Sequence, residues 1–104
     1  MLEIDPKTEL ELSDNIILKA FPEVDQYYAF DTENGDHFNL NATAHWILEK
    51  VKVNGHFGSL VENFADTFEL EKKEALKDVS EMLEFALKNK IIIRRRNNEE
   101  KKDV

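Results

Sequence analysis

Phe38 and Leu40 alternate with His37 and Asn39, the two-residue period of a strand with one buried face. From Asn41 onward the period changes. Ala44, Ile47, Leu48 and Val51 recur at three and four residues, one apolar stripe of a helix over residues 42–51. Asn41 stands at the junction, where its side-chain oxygen suits an N-cap. Upstream, Asn34-Gly35 favours a two-residue hairpin turn with positive φ.

The chain before this junction reads as strands. Ile16-Ile17-Leu18-Lys19-Ala20-Phe21 is β-rich and ends at Pro22, which has no N–H for a ladder. Residues 23–26 read as a turn, and Tyr27-Tyr28-Ala29-Phe30-Asp31-Thr32 as a second strand. The third runs over 36–40, on one edge of an antiparallel meander. Residues 1–12 allow a short strand at Leu10 and Leu12 or a loosely docked arm.

Past the first helix the pattern stays helical. Ser59-Leu60-Val61-Glu62 has the form of a capping box. It opens a second helix burying Leu60, Val61, Phe64, Ala65 and Phe68. A third helix over 71–88 carries the stripe Ala75, Leu76, Val79, Leu83, Ala86 and Leu87, with Met82 at its edge and Phe85 beyond it. Ile91-Ile92-Ile93 reads as a short strand or buried extension. The expected architecture is α+β: a three-stranded antiparallel β-meander followed by a three-helix, winged-helix-like bundle. Residues 1–14 form an N-terminal arm, 15–93 the domain, and 94–104 a disordered charged tail. Phe38, Leu40, Ile47, Leu48, Phe64, Val79 and Leu83 are expected in the core.

The chain's 104 residues make one small domain. Its net charge is −8, and residues 1–40, with ten acids and two bases, carry all of it. Nucleic-acid binding rests on neutralising phosphates, so no nucleic-acid partner is expected. The chain has no cysteine, no run long enough to span a membrane and an acidic N-terminus. A cytoplasmic protein without a membrane partner is the expectation.

The run Phe38-Asn39-Leu40-Asn41-Ala42-Thr43-Ala44-His45-Trp46-Ile47-Leu48 resembles the signature of the PqqD-like proteins. In that family an aromatic-x-Leu-Asn-x-Thr-Ala segment closes a hairpin and opens the first helix. The resemblance covers residues 16–93. It departs at Trp46, which stands two positions before the family's usual Trp, where Leu48 is found here.

The resemblance implies a non-catalytic peptide chaperone with no cofactor. Such a domain binds the leader segment of a ribosomally made precursor peptide and presents it to a modifying enzyme, often a radical SAM enzyme. The leader adds as a strand to the third strand and lies in a groove against the third helix. Mapped here, the peptide-binding residues are Asp36, His37, Phe38, Asn39, Leu40 and Asn41 on the strand, and Asp78, Met82, Phe85 and Asn89 on the helix. A homodimer through the sheet edge is the competing use of that edge.

Other chemistry is weakly supported. His37, His45 and His56 lack metal spacing, and His45 with Glu49 is only an i, i+4 pair. No nucleophile motif or phosphate loop is present, so neither an enzyme nor a metal site is expected. Asn41-Ala42-Thr43 matches a glycosylation sequon but is better read as a cap. Trp46, off the apolar stripe, is either covered by the N-terminal arm or an exposed partner anchor. A generic winged-helix interaction module and a DNA-binding regulator are the alternatives; acids on the third helix count against the second.

Overall fold

Residues 7–95 are described in the computed structural model of the chain. The expected arm residues 1–6 and tail residues 96–104 lie outside them. The element order is β1 (Leu10–Leu12), β2 (Ile16–Phe21), a 3-10 turn (Pro22–Val24), β3 (Gln26–Asp31), β4 (His37–Leu40), α1 (Ala42–Val53), α2 (Phe57–Phe68), α3 (Lys72–Lys88) and β5 (Ile92–Arg94). It is an α+β fold with an antiparallel sheet in the order β2-β3-β4 and three helices.

Pairing in the sheet sets its two faces. Ile17 lies opposite Phe30, and Ala29 opposite Phe38. Ile16, Ala29 and Asp31 are buried on the inner face, with Leu18, Phe38 and Leu40 packed against the core. Ile17, Lys19, Phe21, Tyr28, Phe30, His37 and Asn39 fall on the other face by alternation. Phe38 and Leu40 thus line the core's margin rather than its centre, whereas Ile47, Leu48, Phe64, Val79 and Leu83 are fully buried.

The β3–β4 connection is longer than the expected two-residue turn. The Asp31 backbone N–H donates to Asp36 O at 2.8 Å, which leaves residues 32–35 as the loop. The Asp31 carboxylate sets it, accepting from the backbone N–H of Glu33 (2.9 Å) and Asn34 (3.3 Å) and from the Asn15 amide (2.7 Å). An acceptor at Asp31 starts the turn before Asn34 is reached. Gly35, at φ 84°, then takes the left-handed step.

β1 pairs with β5 in a separate two-stranded antiparallel sheet, Leu10 opposite Arg94 and Leu12 opposite Ile92. Leu10 is fully buried with Ile91 and Ile92. Residues 10–12 are therefore a strand, the first of the two forms their sequence allows. The start of the expected tail is also engaged: the Arg95 backbone N–H donates to Glu9 O at 2.8 Å, and its guanidinium lies 3.2 Å from Glu9 Oε1. Ser13 closes the unit, donating its hydroxyl to Lys90 O at 2.7 Å.

Gly55 makes the docking of β1 possible. The Leu10 N–H donates to Gly55 O at 2.9 Å, and a Cβ on Gly55 would stand 1.7 Å from Leu10 O. The same approach lets the Phe57 N–H donate to Thr8 O at 2.9 Å. This pins the chain two residues before Ser59, and α2 begins there. His56 is its N-cap, with Nδ1 accepting from the Ser59 N–H at 3.2 Å. The expected capping box of Ser59 and Glu62 is not the start of the helix; both residues lie within it.

α3 buries Ala75, Val79, Leu83 and Ala86. This line is narrower than the expected stripe. Leu76, about 100° round the helix from Ala75, is 45% exposed, and Leu87 is half-buried. Ala75 and Ala86 carry little side chain, so α3 packs closely along one line and Leu76 turns to solvent.

Candidate functional site

The free edge of β4 follows from its register. Asp31 bonds Asp36, so alternation makes Ala29–Phe38 and Tyr27–Leu40 the bonded pairs on the other side of Phe30–His37 and Tyr28–Asn39. His37 and Asn39 then direct their N–H and C=O groups away from β3. No strand pairs with this edge among the described residues. The edge ends where α1 begins: Asn41 Oδ1 accepts from the Ala44 N–H at 2.8 Å and the Thr43 hydroxyl at 3.1 Å, as its cap reading requires.

α3 lies alongside, running opposite to β4. The two touch through Phe38 and Phe85, whose rings meet edge to face with centroids 6.1 Å apart. On either side of this contact is a cleft. The one toward Asn41 has a volume of about 570 Å³ and is lined by Asn41, Thr43, Ala44, Ile47, Phe64, Phe68, Leu70, Asp78, Glu81 and Met82. Its floor is apolar and its α3 wall carries two carboxylates. The one toward Asp36 has a volume of about 700 Å³; Asp36 and Asn89 line it with Ser13, Asp14, Asn15, Glu33, Lys88 and Lys90 among others. It is mostly polar and charged.

The structure thus groups the strand-and-helix residues in three places. Asn41, Asp78 and Met82 share the apolar cleft, Phe38 and Phe85 form the middle contact, and Asp36 and Asn89 share the polar cleft. Leu40 packs against the core beside them. His37 and Asn39 turn their side chains to the opposite face, so only their backbone faces the edge. The sequence pattern missed Thr43, Leu70 and Glu81. Ile47, Phe64 and Phe68 were legible only as core, because periodicity marks a buried face without showing whether a cleft opens beside it.

Trp46 is half-buried, and its cover is α2. Its ring meets Phe64 at 5.6 Å and Phe68 at 5.5 Å, both edge to face, and Lys50 Nζ lies 5.3 Å from the ring centroid. Among the described residues the cover is this aromatic cluster from α2; arm residues 1–6, part of the cover the sequence suggested, lie outside them. Phe68 joins it to the apolar cleft, which Phe68 also lines.

The ionisable groups around the site add little chemistry. Asp31 is held below the usual carboxylate range by the Asn15 amide and the N–H groups of Glu33 and Asn34, with burial opposing them. His45 Nε2 lies 3.3 Å from Glu49 Oε2 without an aligned hydrogen bond, and its ring is 5.1 Å from that of Tyr27. Among the described residues no three His, Cys, Asp or Glu side chains gather as metal ligands, and no helix is long and apolar enough to cross a membrane.

The family described as Coenzyme PQQ synthesis protein D (PqqD) matches residues 26–92, from the start of β3 into β5. The chain belongs to the PqqD family. A comparison with curated proteins finds no match. Two solved structures share the fold. One, a lasso peptide synthetase B1 complexed with the leader peptide, is 20% identical, with 82% of this chain and 98% of that chain covered and a TM-score of 0.69. The other, TbiB1 in complex with the TbiA(beta) leader peptide, is 16% identical, with 84% and 99% covered and a TM-score of 0.68. At such identities the likeness speaks to the PqqD-type architecture.

Proposed function

We propose that this PqqD-family chain is a non-catalytic peptide chaperone. It binds the leader segment of a ribosomally made precursor peptide by strand addition to β4 and presents it to a modifying enzyme of the radical SAM class. The observation that carries the reading is a β4 edge, unpaired among the described residues, beside an apolar cleft. The family membership and the leader peptides named in the two solved structures of this fold support it.

The division of labour follows from the geometry. His37 and Asn39 offer four outward backbone groups, and a net ~0.5–1.5 kcal/mol per hydrogen bond gives register but little choice of sequence. Choice comes from side chains. Alternate residues of an extended peptide point to the same side, so an apolar one is placed over Ile47, Phe64, Phe68 and Met82. Asp78, beside that cleft, and Asp36, beside the polar one, favour a Lys or Arg in the peptide, weakly because they are exposed. Phe38 and Phe85 sit where the peptide passes between the two clefts.

The test is an NMR titration of the full chain with the leader half of its cognate precursor. Amide shifts along residues 36–41 and on the facing side of α3 are expected. Shifts confined to residues after Arg94, or to α1 alone, would rule out the groove. A concentration-dependent dimer that the peptide does not dissociate would assign the β4 edge to a second copy.

A further inference from the structure

The outer face of the β2-β3-β4 sheet is apolar and uncovered among the described residues. Ile17 and Phe30 are cross-strand partners, 45% and 37% exposed. Phe21, 47% exposed, sets its ring against Tyr28 at 6.2 Å, and Tyr28 meets His37 at 6.1 Å. These side chains adjoin one another across three strands, unlike the scattered exposed apolar residues of an ordinary surface.

The rim of this face is acidic. Glu23 and Asp25 stand at one end, in and after the 3-10 turn, and Glu33 and Asp36 at the other, in and after the β3–β4 loop. All four are exposed, and Lys19 is the one base on the three strands.

We propose that this face docks the modifying enzyme, through a surface on that enzyme with an apolar centre and a basic rim; the enzyme's identity rests on the peptide-binding reading above. Two arguments select this occupant. A second copy would bring one acidic rim against another, and an anionic lipid surface would meet the same repulsion, whereas a basic rim is attracted and steered. The face is also the opposite side of the sheet from Phe38, Leu40 and the apolar cleft, and it meets the polar cleft only at Glu33 and Asp36, which line both. An enzyme seated on it leaves the β4 edge and the apolar cleft free, so peptide and enzyme are held at once.

The test places the photo-cross-linking residue p-benzoylphenylalanine at Phe30 or Phe21 of the full chain, with Leu76 on α3 as the control, in cells that make it. The expected result is one protein cross-linked from the sheet positions and not from Leu76, through a segment containing Lys or Arg. That protein, purified, should bind the full chain about tenfold more weakly when Ile17→Ser and Phe30→Ser are combined. Its affinity should also fall with added salt. The double variant should stay folded in a cooperative urea transition and keep the parent's affinity for the leader peptide.

Cross-links to a second copy, to lipid, or to nothing above the Leu76 control overturn the proposal, as does binding indifferent to the double variant. A partner that docks here but does not modify the peptide overturns the enzyme assignment and leaves the docking face. Failure of the leader titration with docking intact overturns the peptide reading alone.

Discussion

Phe38 of β4 meets Phe85 of α3 edge to face, ring centroids 6.1 Å apart and planes at 88°. The pair joins β4, whose outer edge is unpaired among the described residues, to the helix beside it, and Phe85 remains 42% exposed. In the proposed site its weight is in recognition, and its exposure limits what it adds to stability.

Phe85→Ala should cost less than the ~3–5 kcal/mol of a fully buried Phe, because Phe85 is 42% exposed. Leader-peptide affinity should fall about tenfold, or ~1.4 kcal/mol. Leu83→Ala, on the buried line of the same helix, should cost ~2–5 kcal/mol. Urea unfolding and calorimetric titration separate the two effects. A Phe85→Ala variant that binds as tightly as the parent removes that residue from the site and leaves the strand edge.

Gly55→Ala tests the seat of β1. The new methyl would meet Leu10 O at 1.7 Å, so backbone must move and the Leu10 to Gly55 bond must lengthen. A loss above ~2 kcal/mol is expected, in the range of named backbone and core defects. Hydrogen exchange should speed up at Leu10 and Ser13, whose N–H groups donate to Gly55 O and Ile91 O, before it does in β3. A variant with the parent's urea midpoint would show that β1 docks otherwise.

Asp31 makes the hairpin loop depend on pH. Its folded pKa is below the unfolded value, so its stabilisation is fully present above the unfolded pKa, ~3.9, and is lost as pH falls through the lower folded value. The urea midpoint should drop in that acidic window for the parent. Asp31→Asn should remove that part of the drop and be less stable near neutral pH. Parallel acid limbs in the two proteins would separate the loop from the ionisation of Asp31.

Trp46 reports on α2. Phe68→Ala should red-shift its emission, because Phe68 is one of the two rings that cover it. Phe68 also lines the apolar cleft, so the same variant should weaken leader binding. An unshifted spectrum would mean that Phe68 does not shield the indole.

His56→Ala should cost ~1 kcal/mol, the usual loss of an N-cap, while Glu62→Ala should cost far less. Thermal melts of the two variants decide between the observed cap and the Ser59-Glu62 box. Equal losses would favour the box.

The three-stranded meander and the three helices were legible in the sequence because each depends on local spacing. The two-residue alternation around Phe38 and Leu40 and the three- and four-residue stripe after Asn41 report which side of an element is buried. Asn41 capped its helix as its side chain predicted, since an N-cap needs only the next three residues. Contacts between distant segments left no such mark. Leu10–Leu12 was ambiguous alone and became a strand by pairing with Ile92–Arg94, some eighty residues away. Gly55 is the place where two backbones touch, which no local pattern marks. Leu76 fitted the apolar stripe, yet close packing along Ala75 and Ala86 turned it outward. The two clefts, the Phe38–Phe85 contact between them and the cover over Trp46 were likewise set by how α2 and α3 pack against the sheet. Periodicity tells a side chain which way to face, and only packing decides what it meets there.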